Sequence, residues 1–185
     1  MRGFHSGRGA AAAAVFLLFA SASPAFAGDE AELACPLAAL GEAERDALAT
    51  ISVDRTARNA ALAVVARRVR ACGDRFRWSA EERSAAHHYV APYLARERFR
   101  AALAGEGLDL ARIERGVLAD APLMAAAAAR RGSPPELDEH LRRVIAAEQA
   151  WVARNEGARE KLRALGGLIS ATALAEAARL RFTRE

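Results

Sequence analysis

One lysine, four isoleucines and eleven aromatic residues are spread over 185 positions. With β-branched and aromatic residues this sparse, and with no run in which they alternate with polar ones, nothing in the chain reads as a strand. There is no C-x-x-C pair for redox exchange, no G-x-S-x-G turn to present a nucleophilic serine and no glycine cluster to cradle a phosphate. These absences weaken the case for an enzyme without removing it. Charge is nearly balanced too, at 27 Lys plus Arg against 23 Asp plus Glu. A nucleic-acid-binding domain concentrates a larger basic excess on one face, so nucleic acid is not an expected partner.

The N-terminus carries the clearest positive signal. Residues 1–8 hold Arg2 and Arg8 and no acid, residues 9–20 are an unbroken apolar run, and residues 21–27 end in Ala25-Phe26-Ala27. That three-part pattern predicts a Sec-type signal peptide over residues 1–27. Its apolar core of about a dozen residues is too short for the roughly 20 that cross a bilayer as a helix. Export to the periplasm or the medium follows, with 28–185 forming one domain and no membrane span. Cys35 does not read as a lipid attachment site, because Glu32 stands three positions ahead of it within the acidic stretch GDEAE. Loss of Arg2 and Arg8 brings the net charge down from +4 to near balance.

Cys35 and Cys72 are the two cysteines of the chain. In an oxidising compartment they are expected to form one disulfide. The remaining composition points to helices: 49 residues are alanine, which favours helix strongly and buries little area, so closely approaching helices with thin seams are expected. The predicted fold is all-α, an irregular domain of about five to seven helices.

Local punctuation places them. A short helix starting at Pro36 or Gly41 runs to about residue 49. The next starts near Asp54, puts Leu62, Val65, Val69 and Cys72 on one face, and stops at Gly73. Ser79-Ala80-Glu81-Glu82 fits a capping box, opening a helix with Tyr89 and Tyr93 on one face, a kink at Pro92 and a stop at Gly105 and Gly107. Asp109 and Asp120 cap two more, the second with Pro122 in its first turn and the alanine run 125–129 leading to Arg130-Arg131-Gly132. Ser133-Pro134-Pro135-Glu136 reads as an N-cap serine, first-turn prolines and an N3 glutamate, opening the longest well-marked helix through Leu137, Leu141, Val144, Trp151 and Val152, with Glu148 a polar exception. Gly157 and Gly166-Gly167 are expected breaks before a final helix over 168–180.

Three constellations are candidates for function. Adjacent His87 and His88 diverge by about 100° on a helix and cannot share one metal ion as residues at i and i+4 would. With Tyr89 and neighbouring acids they could still serve an enzyme or a metal-binding protein, against the simpler reading of solvated or edge-packed side chains. Glu136 and His140 stand at i and i+4 and read as an intrahelical charge pair. The E-x-x-H spacing of di-iron bundles is absent, and no metal or cofactor is expected. The densest charge cluster is Arg67, Arg68, Arg70, Arg75 and Arg77, with Asp74 the acid among them and Phe76 and Trp78 interleaved. It reads either as a docking surface for an anion or acidic partner, with Trp78 as part of it, or as cations favouring a helix C-terminus beside aromatics anchored in the core. The sequence reading is therefore a non-catalytic exported module that binds another envelope protein or an anionic envelope component. The alternatives are the histidine-based enzyme or metal protein, and a periplasmic chaperone with an exposed apolar concavity.

The leader generates the first prediction. The intact mass of the exported protein should correspond to a chain beginning at Gly28; recovery of the full-length chain, or of a species acylated at Cys35, contradicts it.

Overall fold

The computed structural model describes residues 28–49, 55–129, 134–155 and 159–184, so the leader, Asp54, Arg130, Arg131, Gly132, Ser133 and Gly157 lie outside the described residues. Among those described, the regular elements are a 3-10 turn, Glu30–Leu33, and nine α-helices. These are α1 (Ala34–Ala38), α2 (Glu42–Ala49), α3 (Arg55–Phe76), α4 (Ala80–Leu103), α5 (Leu110–Ala119), α6 (Ala121–Ala128), α7 (Pro135–Ala147), α8 (Gln149–Arg154) and α9 (Arg159–Phe182). The count exceeds the expected five to seven because two segments that read as single helices are each broken in two.

Capping chemistry set several boundaries as expected. Ser79 Oγ accepts from the Glu82 N–H at 3.1 Å while the Glu82 carboxylate accepts from the Ser79 N–H at 2.5 Å, a complete capping box. The carboxylates of Asp109 and Asp120 accept from the N–H groups of Arg112 and Leu123 at 2.9 and 3.1 Å. Gly105 and Gly107 both take φ +79° after α4, a conformation that favours glycine.

Four expectations are corrected. Gly73 does not end α3, which runs on to Phe76; Arg77 takes the left-handed conformation at φ 62°, and the Trp78 N–H closes on the Gly73 carbonyl at 2.9 Å. Gly73 instead makes room for a neighbour, since a Cβ there would meet the Arg83 side chain at 3.0 Å. Gly166-Gly167 does not break α9, which continues through both residues. The start of α7 falls one residue later than expected. Pro134 precedes another proline and is barred from the helical region, so at ψ 146° it is itself the cap and Pro135 is the first helical residue. Finally, α7 has 13 residues and is not the longest helix; α4 and α9 have 24 each. It ends at Glu148, which sits at φ −103°, ψ 29° with its carboxylate held by Arg112 of α5, leaving Trp151 and Val152 on α8.

The most extensive helix contact is between α4 and α9, which run antiparallel: Phe99 near the end of α4 meets Gly167 near the start of α9, while Trp78 just before α4 meets Phe182 at the end of α9. Small residues allow the approach. Ala85 and Ala86 of α4, and Ala171, Ala173, Ala175, Ala177 and Ala178 of α9, are all buried. A Cβ at Gly167 would lie 2.5 Å from the Phe99 ring, so the missing side chain is a requirement of this seam.

Two apolar clusters flank the pair. One gathers Leu33, Leu40, Val65, Val69, Val90, Leu94, Trp78 and Phe182 from the N-terminal segment, α3, the start of α4 and the end of α9. The other gathers Leu103, Ile113, Val117, Leu123, Trp151, Leu165 and Leu168 from the end of α4, α5, α6, α8 and the first half of α9. The N-terminal segment is tied down by the Cys35–Cys72 disulfide, with Cα atoms 6.1 Å apart. Its Glu32 carboxylate accepts from the Trp78 indole N–H at 2.6 Å, and Glu30 pairs with Arg179 at 2.6 Å. No helix among the described residues is long and apolar enough to cross a membrane.

The glycine roles can be separated by substitution. Gly116 lies inside α5 with nothing within 4 Å of an added Cβ, so Gly116→Ala should raise stability by about 1 kcal/mol through helix propensity. Gly167→Ala should give no such gain, because its methyl group displaces Phe99. Chemical denaturation of both variants measures this, and an equal gain at the two sites contradicts the seam.

Candidate functional site

The arginine cluster occupies the last turns of α3 and the residue beyond them. Val65, Val69 and Cys72 define the buried face of this helix, and Arg67, Arg68, Arg70, Arg75 and Arg77 are all exposed. At 100° per residue, Arg67 and Arg70 lie on the outermost face, while Arg68 and Arg75, seven residues apart, share an adjoining one. Asp74 projects among them but is already engaged by Arg83 at 2.8 Å. Arg83 is itself fixed by a hydrogen bond to the Trp78 carbonyl at 3.0 Å. None of the five arginines pairs with a carboxylate among the described residues. Arg75 stacks over the half-buried Phe76 ring at 5.1 Å.

Trp78 does not belong to this surface. It is 4% exposed, edge-on to Phe182 at 5.0 Å and stacked on Phe76 at 6.0 Å, with its N–H taken by Glu32. A large ring beside a chain reversal gains more by entering the core than by waiting on the surface, and Glu32 supplies the partner its polar edge needs there.

The histidine pair behaves as adjacent residues on a helix must. The His87 and His88 rings sit 5.5 Å apart at 83°, and His88 Nδ1 donates to the Ser84 carbonyl at 2.6 Å. Tyr89 packs against Tyr93 at 5.3 Å, and burial pushes its phenol up to about 12, with Arg96 and Arg179 opposing. Such a phenol stays protonated at neutral pH and is a poor base. Among the described residues no three His, Cys, Asp or Glu side chains are placed to hold a metal ion.

A cluster the sequence did not suggest lies where α6 meets α7. His140 is 5% exposed and its Nδ1 lies 2.6 Å from Asp120 Oδ2, the same oxygen that Arg143 engages. The expected pairing of His140 with Glu136 is therefore replaced by one between helices, because the Asp120 cap is buried against α7. His140 Nε2 and Glu136 Oε2 are buried without hydrogen-bond partners. One signal was available: Leu137, His140, Leu141 and Val144 recur at i, i+3, i+4 and i+7, so His140 is the polar residue of an apolar stripe. Beside the cluster is an open cavity of about 380 Å³, lined by Asp120, Pro122, Glu136, Glu139, Arg142 and Arg143. Apart from Glu136, its charges are engaged with one another, Arg142 with Glu139 at 2.9 Å and Arg143 with both Glu139 and Asp120. The arrangement ties two helices together.

A second, apolar cavity of about 240 Å³ lies between Leu48, Leu62, Pro92, Phe99, Ser170 and Leu174. It is smaller than the roughly 300–1,000 Å³ of small-molecule sites. No protein-family model, curated protein or solved structure matches the chain, so the functional reading rests on its own chemistry.

Asp120 supplies a test of the α6–α7 junction. Burial alone would raise its carboxyl; the hydrogen bond with His140, the Leu123 N–H and the charge of Arg143 outweigh that and hold it below the usual carboxylate range. A carboxyl lowered on folding stabilises fully above its unfolded value, and the contribution disappears as pH falls through the folded one. Asp120→Asn keeps a competent cap but removes the charge. It should cost about 2 kcal/mol near neutral pH and flatten the acid limb of the stability curve. A neutral substitution with an unchanged acid limb rules out the ionic junction.

Proposed function

We propose that the protein is an exported, non-catalytic helical module that docks onto an acidic or anionic component of the cell envelope through Arg67, Arg68, Arg70, Arg75 and Arg77. The observation that carries this reading is the set of five exposed guanidinium groups with no carboxylate partner among the described residues, while the nearby Asp74 is held by Arg83. Arg83, Arg100, Arg112, Arg142, Arg143 and Arg179 each pair with a carboxylate of the same chain, while Arg115, Arg154 and Arg163, without one among the described residues, are less densely clustered along the sequence. A dense cluster of exposed arginine is a feature an anionic partner recognises, because the planar fork forms two parallel hydrogen bonds to a carboxylate or phosphate. The leader motif and the disulfide both support an oxidising, extracytoplasmic setting.

The test is charge reversal. The Arg68→Glu/Arg75→Glu double variant should lose salt-sensitive retention on isolated native envelope. Its helical circular dichroism should be unchanged and its stability within about 0.5 kcal/mol, since solvated charges contribute little to folding. Undiminished retention would remove the arginine face from the account and shift attention to the Tyr89–Tyr93 face.

A further inference from the structure

We infer that the anionic component is a surface of phospholipid headgroups, which the arginine face contacts without inserting into the bilayer; this rests on the docking reading above and names its partner.

Shape is the first argument. Arg67, Arg68, Arg70 and Arg75 spread around the exposed side of α3, with Arg77 just beyond its end, and the cavities described above are lined by other residues. A single small anion is held by a concave site that replaces its hydration shell, whereas an outward-facing row suits an extended array of charges. From Arg67 to Arg75 the helix rises about 12 Å, so one face reaches several phosphates at once.

The second argument is the missing apolar anchor. Protein interfaces concentrate their energy in buried aromatic and aliphatic side chains, with charges at the rim. The exposed large apolar residues among those described are Leu118 on α5 and Leu180 on α9, neither of them on α3. Trp78 is committed to the core and Phe76 is half-buried beneath Arg75. With charge available and no wedge, the face fits electrostatic adsorption at headgroup level, where each basic side chain strengthens binding about fivefold. It lacks the apolar stripe that a helix immersed in the interface uses.

Arg77 adds a backbone observation. Its φ of 62° lies in the left-handed region, at the position after a helix end where glycine sits without steric cost. An arginine there strains the backbone, and the side chain it brings is a fifth cation beside the other four. Residues held in such conformations mark places where the side chain itself is used.

The test is co-sedimentation of the purified protein with vesicles of phosphatidylcholine alone, or of phosphatidylcholine containing phosphatidylglycerol, at low and high salt. Binding should require phosphatidylglycerol and fall steeply with salt. It should weaken at least about 25-fold in Arg68→Glu/Arg75→Glu, two arginines at about fivefold each. Arg77→Gly should bind about fivefold more weakly while its thermal midpoint rises, a combination that loss of fold cannot produce. Absence of binding to the anionic vesicles overturns the inference, as does equal binding to the neutral ones or unchanged binding by the double variant. If the vesicles fail while envelope retention still depends on Arg68 and Arg75, the docking reading stands with an acidic macromolecule as partner, and binding to soluble polyglutamate would identify carboxylate as its chemistry. If envelope retention is also insensitive to the substitutions, both readings fall.

Discussion

The close approach of α4 and α9 is the constraint on which the rest of the structure depends. A chain with 49 alanines and eleven aromatics cannot fill a wide gap between helices, so it brings two long helices together and lets backbone and methyl groups make the contact. Gly167 under Phe99 sets the distance at one end, and Phe182 under Trp78 closes the other. The few large apolar side chains then pack at the flanks, Trp151, Leu165 and Leu168 in one cluster and Leu33, Trp78 and Phe182 in the other. Each flank has a long-range polar contact of its own. Lys161 of α9 pairs with Glu106 after α4 at 2.5 Å, and Arg179 pairs with Glu30 at 2.6 Å.

From that pair outward, the position of α3 is fixed by the N-terminal segment. The Cys35–Cys72 bridge spans 37 residues of sequence, and closing a loop of that length limits the unfolded chain by about 4 kcal/mol in the entropy model. The same cysteine marks the buried face of α3, so Arg67 and Arg70 point away from the core on a helix that is anchored covalently, with Arg68 and Arg75 flanking the buried stripe. The acid that would neutralise them locally, Asp74, is drawn aside by Arg83, whose side chain packs closely over the bare backbone of Gly73. A glycine that looked like a helix stop thus contributes to the charge of the face.

What the sequence made legible was local. The Ser79 box, the Asp109 and Asp120 caps and the turn glycines at 105 and 107 each act through neighbours within a few residues. What it concealed was set by partners far along the chain. Whether Gly167 ends a helix or admits a neighbour is decided by Phe99 on another helix. Whether His140 pairs with Glu136 or Asp120 is decided by how α6 docks on α7, and Glu148 breaks its helix where Arg112 of α5 holds it. The arginine face was visible because charge density is a property of composition over a short window. The place of Trp78 was not, because Phe182 and Glu32, which enclose it, come from opposite ends of the described chain.

The account places folding in the α4–α9 pair and keeps the arginine-bearing turns outside it. Native-state hydrogen exchange tests that division most directly, since amides that open only on global unfolding identify the stabilising unit. Val90 and Leu94 of α4, with Leu168, Ile169 and Ala175 of α9, should be among the slowest to exchange, and the turns of α3 around Arg68 and Arg75 should open sooner. Slowest exchange in α3 or α7, with α4 and α9 opening first, would contradict it.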